Sequence, residues 1–392
     1  MTGPSNGFEG LLGDLLKAMG GSPAAAWFDA ARALAVSVVA DEHEAFNPDP
    51  VARIKLEELA RVVSLHVAEV TGDAVDAVVE PVTRAAWGVA ALTSWRPRLE
   101  PLVASASAQP ESSGALDDEH TDAATAMLAK FASSMGPMFL GLQVGSTAGH
   151  LAERALGSSA FPLPWPDASH ALIVVRNLDQ FAEDWSLDHD AVSAFTISRE
   201  LAMRAVYSRP SIAAHVEALL DAATAAQMSM QKTLLDRLGD ADGVEDLSRL
   251  LGDPEAFVEG LWGHELPEGG RAHDALNAAV TAISAYVDEV AKVVASRVLG
   301  DAGQLAEAWH RHRTGDSKGA EAAAAMFGVD LSKERVDLGA AFVAGVIERD
   351  GFDALSRLTT SAEGLPTPAE IVAPGLWLAR TSLPTLGSEG SG

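Results

Sequence analysis

Two adjoining stretches decide how the chain reads: HALIVVRNLDQF at 170–181 and AVSAFTISRELAMRAVY at 191–207. In the first, Leu172, Ile173, Val174 and Val175 form a short β-rich run after the Pro-rich turn FPLPWPDAS, which predicts a strand over 171–178. The second predicts a helix over 193–207. It is apolar almost all round, the pattern of a helix buried in a core. It carries Arg199, Glu200 and Met203 where the His, Glu and His of a HExxH motif would stand.

Outward from this pair, the pattern is helical. AWFDAARALAVSVVA and VARIKLEELARVVSLHVAEV have core-facing apolar spacing, and Pro48 and Pro50 separate them. FEGLLGDLLKAM at 8–19 has the same spacing, so 8–103 is expected to be an N-terminal helical region. Residues 104–121 are small, polar and acidic and predict a loop, and 122–380 forms the main body. LGLQVGSTAGHLAERALG at 140–157 places Gly141, Gly145 and Gly149 four apart on one helix face, a stripe that lets a second helix approach closely. Helices are predicted at 273–350. Residues 1–7 and 381–392, rich in Gly, Ser and Pro, are expected to be disordered. The fold class is mainly α with a small β-sheet.

Composition narrows function. The 392 residues carry 28 Lys+Arg, 55 Asp+Glu and no cysteine, a formal charge of −27. A polyanion partner needs a cationic surface, so no nucleic acid is expected. Without cysteine there is no thiolate nucleophile or Cys-ligated metal, and any metal site must use His and carboxylates. No apolar run is long enough to cross a membrane and the first residues lack a secretory pattern, so a cytoplasmic protein is expected.

Searches for a P-loop, GxGxxG and GxSxG fail. The lone SxxK, Ser229 to Lys232, sits in a Met- and Gln-rich helix. DADG at 240–243 lacks the outer ligands of a calcium loop. No two of the 11 histidines are three or four apart, so HExxH is absent. His310 and His312 point to different sides of a helix and are expected to be solvated beside Arg311 and Arg313. Trp87, Trp95 and Trp377 are expected in the core.

The order of these segments resembles the actinobacterial DUF2342 proteins. That zincin-like family is assigned as zinc-dependent metalloproteases and also labelled hydrolases, or associated with coenzyme F420 biosynthesis. Arg84, Trp87 and Pro101 match its Arg–x–x–Trp helix. Residues 140–157 match its Gly-rich helix. Asn177 matches its strand, with Arg176 where proline is usual. Gly339, Phe342, Pro366, Glu370, Pro374 and Trp377 match its C-terminal signature. The resemblance implies a zincin-like architecture and places HExxH on the 193–207 helix. Glu200, Pro210 and His215 match. The two zinc-ligand histidines align with Arg199 and Met203, and the third ligand position with Ser284, four residues before a matching Asp288.

Arginine is permanently cationic and repels a divalent ion, and a thioether suits soft copper rather than zinc. Glu200 then has no metal-bound water to deprotonate and becomes a vestigial general base, expected to pair with Arg204 one turn on. The resemblance therefore implies a pseudoenzyme without a cofactor, zinc being the cofactor of active relatives. It would bind a peptide or protein partner in the old cleft beside the 171–178 strand by backbone pairing. Val174, Val175, Asn177, His215 and Asp288 would line that cleft. The alternative is an active zinc metallopeptidase, or another hydrolase, with ligands rebuilt from His215, Asp288 or His170. A third reading is an interaction protein whose cleft is filled by its own side chains.

Overall fold

The computed structural model describes residues 23–40, 48–107, 137–138, 140–165, 169–239, 267–300, 302–315 and 317–382. The expectations for 1–7, 8–19, 108–121, 240–243 and 383–392 lie outside those residues, as do the side chains of Ser229 and Lys232.

In chain order the elements are α1 (Pro23–Val38), α2 (Pro50–Thr71), β1 (Val78–Val82), α3 (Arg84–Ser107), α4 (140–152), β2 (His170–Val174), α5 (Val175–Asp184) and α6 (His189–Tyr207). They continue as α7 (Pro210–Gly239), α8 (Pro267–Leu299), α9 (Gly303–Thr314), α10 (Lys318–Phe327), α11 (Lys333–Asp350), α12 (Ser356–Thr360), α13 (Pro368–Val372) and α14 (Pro374–Thr381). The fold is mainly α with one two-stranded parallel sheet, as the sequence predicts.

Local chemistry explains the helix ends. Pro50 opens α2, where its missing N–H costs nothing, and the Asp49 side chain caps the amide of Val51. Gly72 ends α2 in the left-handed region at φ 76°. The Asp188 side chain caps α6 through Ala191.

Two expectations are corrected. The strand ends at Val174, and Val175 begins α5, whose buried face is Asn177, Leu178, Phe181 and Ala182. The 3.6-residue apolar spacing of VRNLDQFAED outweighs the β propensity of Val175. The strand's partner, β1, lies inside the block expected to be wholly helical. It pairs in parallel with β2 from Val78 against His170 to Val82 against Val174. Parallel pairing needs a long crossover, supplied here by α3 and α4.

The glycine stripe packs as predicted. A Cβ at Gly141 would lie 2.4 Å from the Trp27 carbonyl oxygen, one at Gly145 2.3 Å from that of Ala31, and one at Gly149 2.7 Å from Val38. The backbones of α4 and α1 are thus in direct contact. At the centre, every α6 residue from Ala194 to Val206 is buried, between α8 on one side and α2 on another. Trp87, Trp95 and Trp377 are core residues, as expected.

The matched residues at the C-terminus fasten the last helices to α11. Phe342 meets Trp377 edge-on at 5.5 Å, and Trp377 Nε1 donates to the Gly364 carbonyl at 2.7 Å. Glu370 closes a capping box with Thr367 and accepts Arg380 at 2.5 Å.

Candidate functional site

Because α6 is buried on all faces, Arg199 and Glu200 enter the core together, about 2% and 1% exposed. An unpaired buried charge costs several kcal/mol, so their partners define the site.

The Arg199 guanidinium is held on three sides. Its Nε donates to Asp288 Oδ1 at 2.7 Å, and its Nη1 donates to Ser159 Oγ at 2.8 Å. Its central carbon lies 4.2 Å from the centre of the Trp309 ring, a cation–π contact. Asp288, on α8, also accepts Trp309 Nε1 at 3.0 Å on the same oxygen and Arg313 Nη1 on the other. Burial alone would raise the Asp288 carboxyl, but Arg313 and Arg199 hold it below the usual carboxylate range. Burial lowers the Arg199 pKa, against the pull of the Asp288 charge. Arginine starts so high that it stays charged, so the centre is an ion triad of buried Arg199 with partly buried Asp288 and Arg313.

Glu200 is not joined to Arg204, contrary to expectation. Its Oε1 accepts the backbone N–H of Ser159 at 2.7 Å. The i+4 spacing made the pair reachable, but a buried carboxylate gains more from a fixed amide that has no other acceptor. Gly157 makes this approach possible, because a Cβ there would lie 2.4 Å from Glu200 Oε1.

The same short segment covers the strand. Val174 N–H donates to the Leu156 carbonyl at 2.9 Å, Leu172 N–H donates to Ser158 Oγ at 3.0 Å, and Gly157 bridges Ile173 in antiparallel sense. With β1 on its other edge, β2 has neighbours on both sides. Backbone pairing of a peptide to this strand, as the sequence reading supposed, therefore has no open edge here.

The remaining predicted residues divide. Met203 is buried one turn after Arg199, and Ser284 one turn before Asp288. Val174 is fully buried and Val175 faces a separate groove against α2. Asn177 is structural. Its Nδ2 donates to the carbonyls of Ala152 and Ala155, and its Oδ1 accepts Arg84 Nε at 2.6 Å, which ties α5 to α4 and α3. His215 is exposed on α7, and His170 lies at the start of β2 beside Ser169. Neither joins the Arg199 cluster. Among the described residues, no three His, Asp or Glu gather as a cation-ligand set.

Sequence reasoning missed Ser159, Trp309, Arg313 and His312. His312 is half-buried rather than fully solvated. It stacks on Trp309 at 5.6 Å, meets Phe181 edge-on at 5.1 Å, and donates from Nε2 to the Arg154 carbonyl at 3.1 Å. Burial, with the Arg154 charge beside it, pushes its pKa down to about 4. A signal was present: Trp309, His312 and Arg313 share a face of WHRHR, an apolar–cationic stripe.

The model of the zincin-like metallopeptidase family matches residues 27–378, and the chain belongs to that family. It is also similar to a solved structure described as "Crystal structure of a putative hydrolase with a novel fold from Chloroflexus aurantiacus". The TM-score is 0.63 at 18% identity, over 91% of this chain and 98% of that one. At that identity the likeness is one of fold. Comparison with curated proteins found no match. No helix among the described residues is long and apolar enough to cross a membrane.

A metallopeptidase family implies a metal ion, and the donor set can be tested against one. Zinc takes lone pairs from neutral imidazoles and carboxylates. At the centre, position 199 offers a guanidinium with no lone pair to give, Met203 a buried thioether, and Ser284 a hydroxyl. The Asp288 carboxylate is already shared by two arginines and an indole. These residues do not fit a zinc ion.

Proposed function

We propose that the chain is a non-catalytic member of the zincin-like metallopeptidase family and acts by binding a peptide or protein partner. The carrying observation is the Arg199 guanidinium, locked onto Asp288, Ser159 and Trp309 on the helix where such an enzyme would hold its ion. A fixed monocation supplies charge to that centre without a Lewis-acidic site or an activated water. Glu200, bound to the Ser159 amide, is then an acceptor that pins the covering segment rather than a general base. The narrower assignment to the DUF2342 proteins is part of this proposal and is supported by the collinear matches from Arg84 to Trp377.

The partner surface is not the β2 edge. Two hollows remain open at the centre: a small cavity on the Ser159 side of Trp309, and a groove of about 540 Å³ on the other side, between α8, α9 and α11. A casein or peptide cleavage assay with added Zn²⁺ tests the reading, and no cleavage above buffer is expected. Cleavage abolished by Glu200→Gln would restore the active metallopeptidase, and cleavage that survives Glu200→Gln would point to a different active centre.

A further inference from the structure

Helix α2 turns an apolar stripe toward solvent. Leu56, Val63 and Val67 lie on its buried side. Val51, Ile54, Val62 and Leu65 do not, and each is between 47% and 67% exposed. They are four of the nine large apolar residues that stand exposed among the described ones, so the pattern is concentrated on this helix. With Glu58 they recur at steps of three or four residues, which places all five on one face. A surface helix normally keeps that face polar, and a contiguous exposed apolar face marks an interaction site.

The stripe shares Val51, Glu58 and Val62 with a groove of about 580 Å³, where α2 meets α5 and the start of α6. Leu59 from α2 and Val175 and Leu178 from α5 complete its apolar floor. Carboxylates stand on both walls: Asp49 and Glu58 on the α2 side, Asp179 and Asp190 on the other. Lys55 is the lysine of the lining, and His189 lies 3.2 Å from Asp179. Arg53, Arg61 and Arg176 are not among the lining residues. Residues 41–48, which lead into α2, add Asp41, Glu42 and Glu44 to the local sequence and neither Lys nor Arg.

We propose that this face docks a basic amphipathic helix of a protein partner. The apolar floor takes the apolar side of such a helix, and the carboxylates on both walls take Lys and Arg along its flanks. The stripe from Val51 to Leu65 is about 21 Å long, which a partner helix of about four turns covers. Two other occupants match the charges less well. Segment 8–19 of this chain has an apolar face of its own, but it carries Glu9 and Asp14 against Lys17. A second copy laid antiparallel on the stripe would bring two Glu58 carboxylates together at the centre, a repulsive contact. None of Arg199, Glu200 and Asp288 lines this groove. The inference therefore rests on the reading above only in taking the partner to be a polypeptide.

Fluorescence anisotropy of a labelled peptide with the full chain, at fixed ionic strength, tests it. The probe is a helix-forming Leu/Lys peptide of about 14 residues with its leucines on one face. The controls are the same sequence with Glu for Lys, and a scrambled Leu/Lys sequence of equal charge. Saturable one-to-one binding of the Leu/Lys helix alone is expected. Ile54→Ser with Leu65→Ser should weaken it about tenfold or more, as loss of apolar anchors does. Glu58→Lys should weaken it too and shift the preference toward the Glu peptide. All three positions are exposed, so these variants keep the fold. Val372→Ser with Leu376→Ser, exposed apolar residues of α13 and α14, should leave binding unchanged. No saturable binding overturns the proposal, and so does a control peptide that binds as well. Stripe variants that bind like the parent, or α13–α14 variants that weaken binding as much, also overturn it. Tighter binding by Leu11→Ser with Leu15→Ser would give the face to segment 8–19 instead. A concentration-dependent dimer in sedimentation that Ile54→Ser with Leu65→Ser dissociates would give it to a second copy, and either result sinks the proposal. Zinc content enters none of these readouts, so this inference and the non-catalytic reading fail separately.

Discussion

Arg199 and His312 carry most of the site's energetics at the level of single side chains. Arg199→Met removes the Asp288 and Ser159 bonds but leaves Asp288 with Arg313 and Trp309, so it should cost about 3 kcal/mol, within the range for breaking a buried pair. Urea unfolding measures this, and a change under about 0.5 kcal/mol would show that the guanidinium is not tightly held. His312 gives a pH signature. Its folded pKa of about 4 lies below that of an exposed imidazole, so the unfolded chain takes up the extra proton first. Its contribution to stability is complete above about pH 6.5 and falls as pH drops toward 4, by up to about 3 kcal/mol. The Asp288 carboxyl, also held low, adds a loss at still lower pH. His312→Asn should flatten stability between pH 4 and 6.5 and leave the lower loss in place. A slope in that window identical to the parent's would place the titration elsewhere.

Elements show what the sequence could and could not reveal. The α4 glycine stripe was legible because its spacing is local, and it gives a sharp prediction. Gly145→Ala puts a methyl 2.3 Å from the Ala31 carbonyl oxygen, so α1 and α4 must separate at a cost of about 1–3 kcal/mol. Gly270→Ala in α8, where a Cβ meets nothing within 4 Å, should be neutral or slightly stabilising. Equal thermal shifts for the two would contradict the close packing. The buried helix α6 was legible from its apolar rhythm, and Arg199, Glu200 and Met203 stood out on it. β1 was not legible: VVEPV contains Pro81, which argues against an interior strand, and its partner lies some 90 residues on. The Arg199 network was hidden for the same reason. Asp288 is 89 residues from Arg199 and Ser159 is 40 away, and no pattern in one sequence encodes those distances. Arg199 itself was visible, but the group that pairs with it was not. Glu200 illustrates the limit, since helix spacing proposed Arg204 and the fold supplied the Ser159 amide.

The whole molecule keeps the zincin-like architecture, and the proposed function assigns its centre a fixed cation in place of an ion. Charge at the surface is strongly negative. The described centre concentrates arginine around one shared carboxylate, with the strand edge sealed by residues 156–158 and β1. A cationic side chain fixed by packing needs no ion to hold α6, α8 and α9 together, so chelation should not loosen the fold. Addition of EDTA should leave the melting temperature unchanged. The most direct test of the central claim is the metal content of the purified, briefly dialysed protein by elemental analysis. Zinc far below one ion per chain is expected. Stoichiometric zinc retained by the parent and lost from Asp288→Asn would contradict it, and would show a working metal centre where Arg199 is placed.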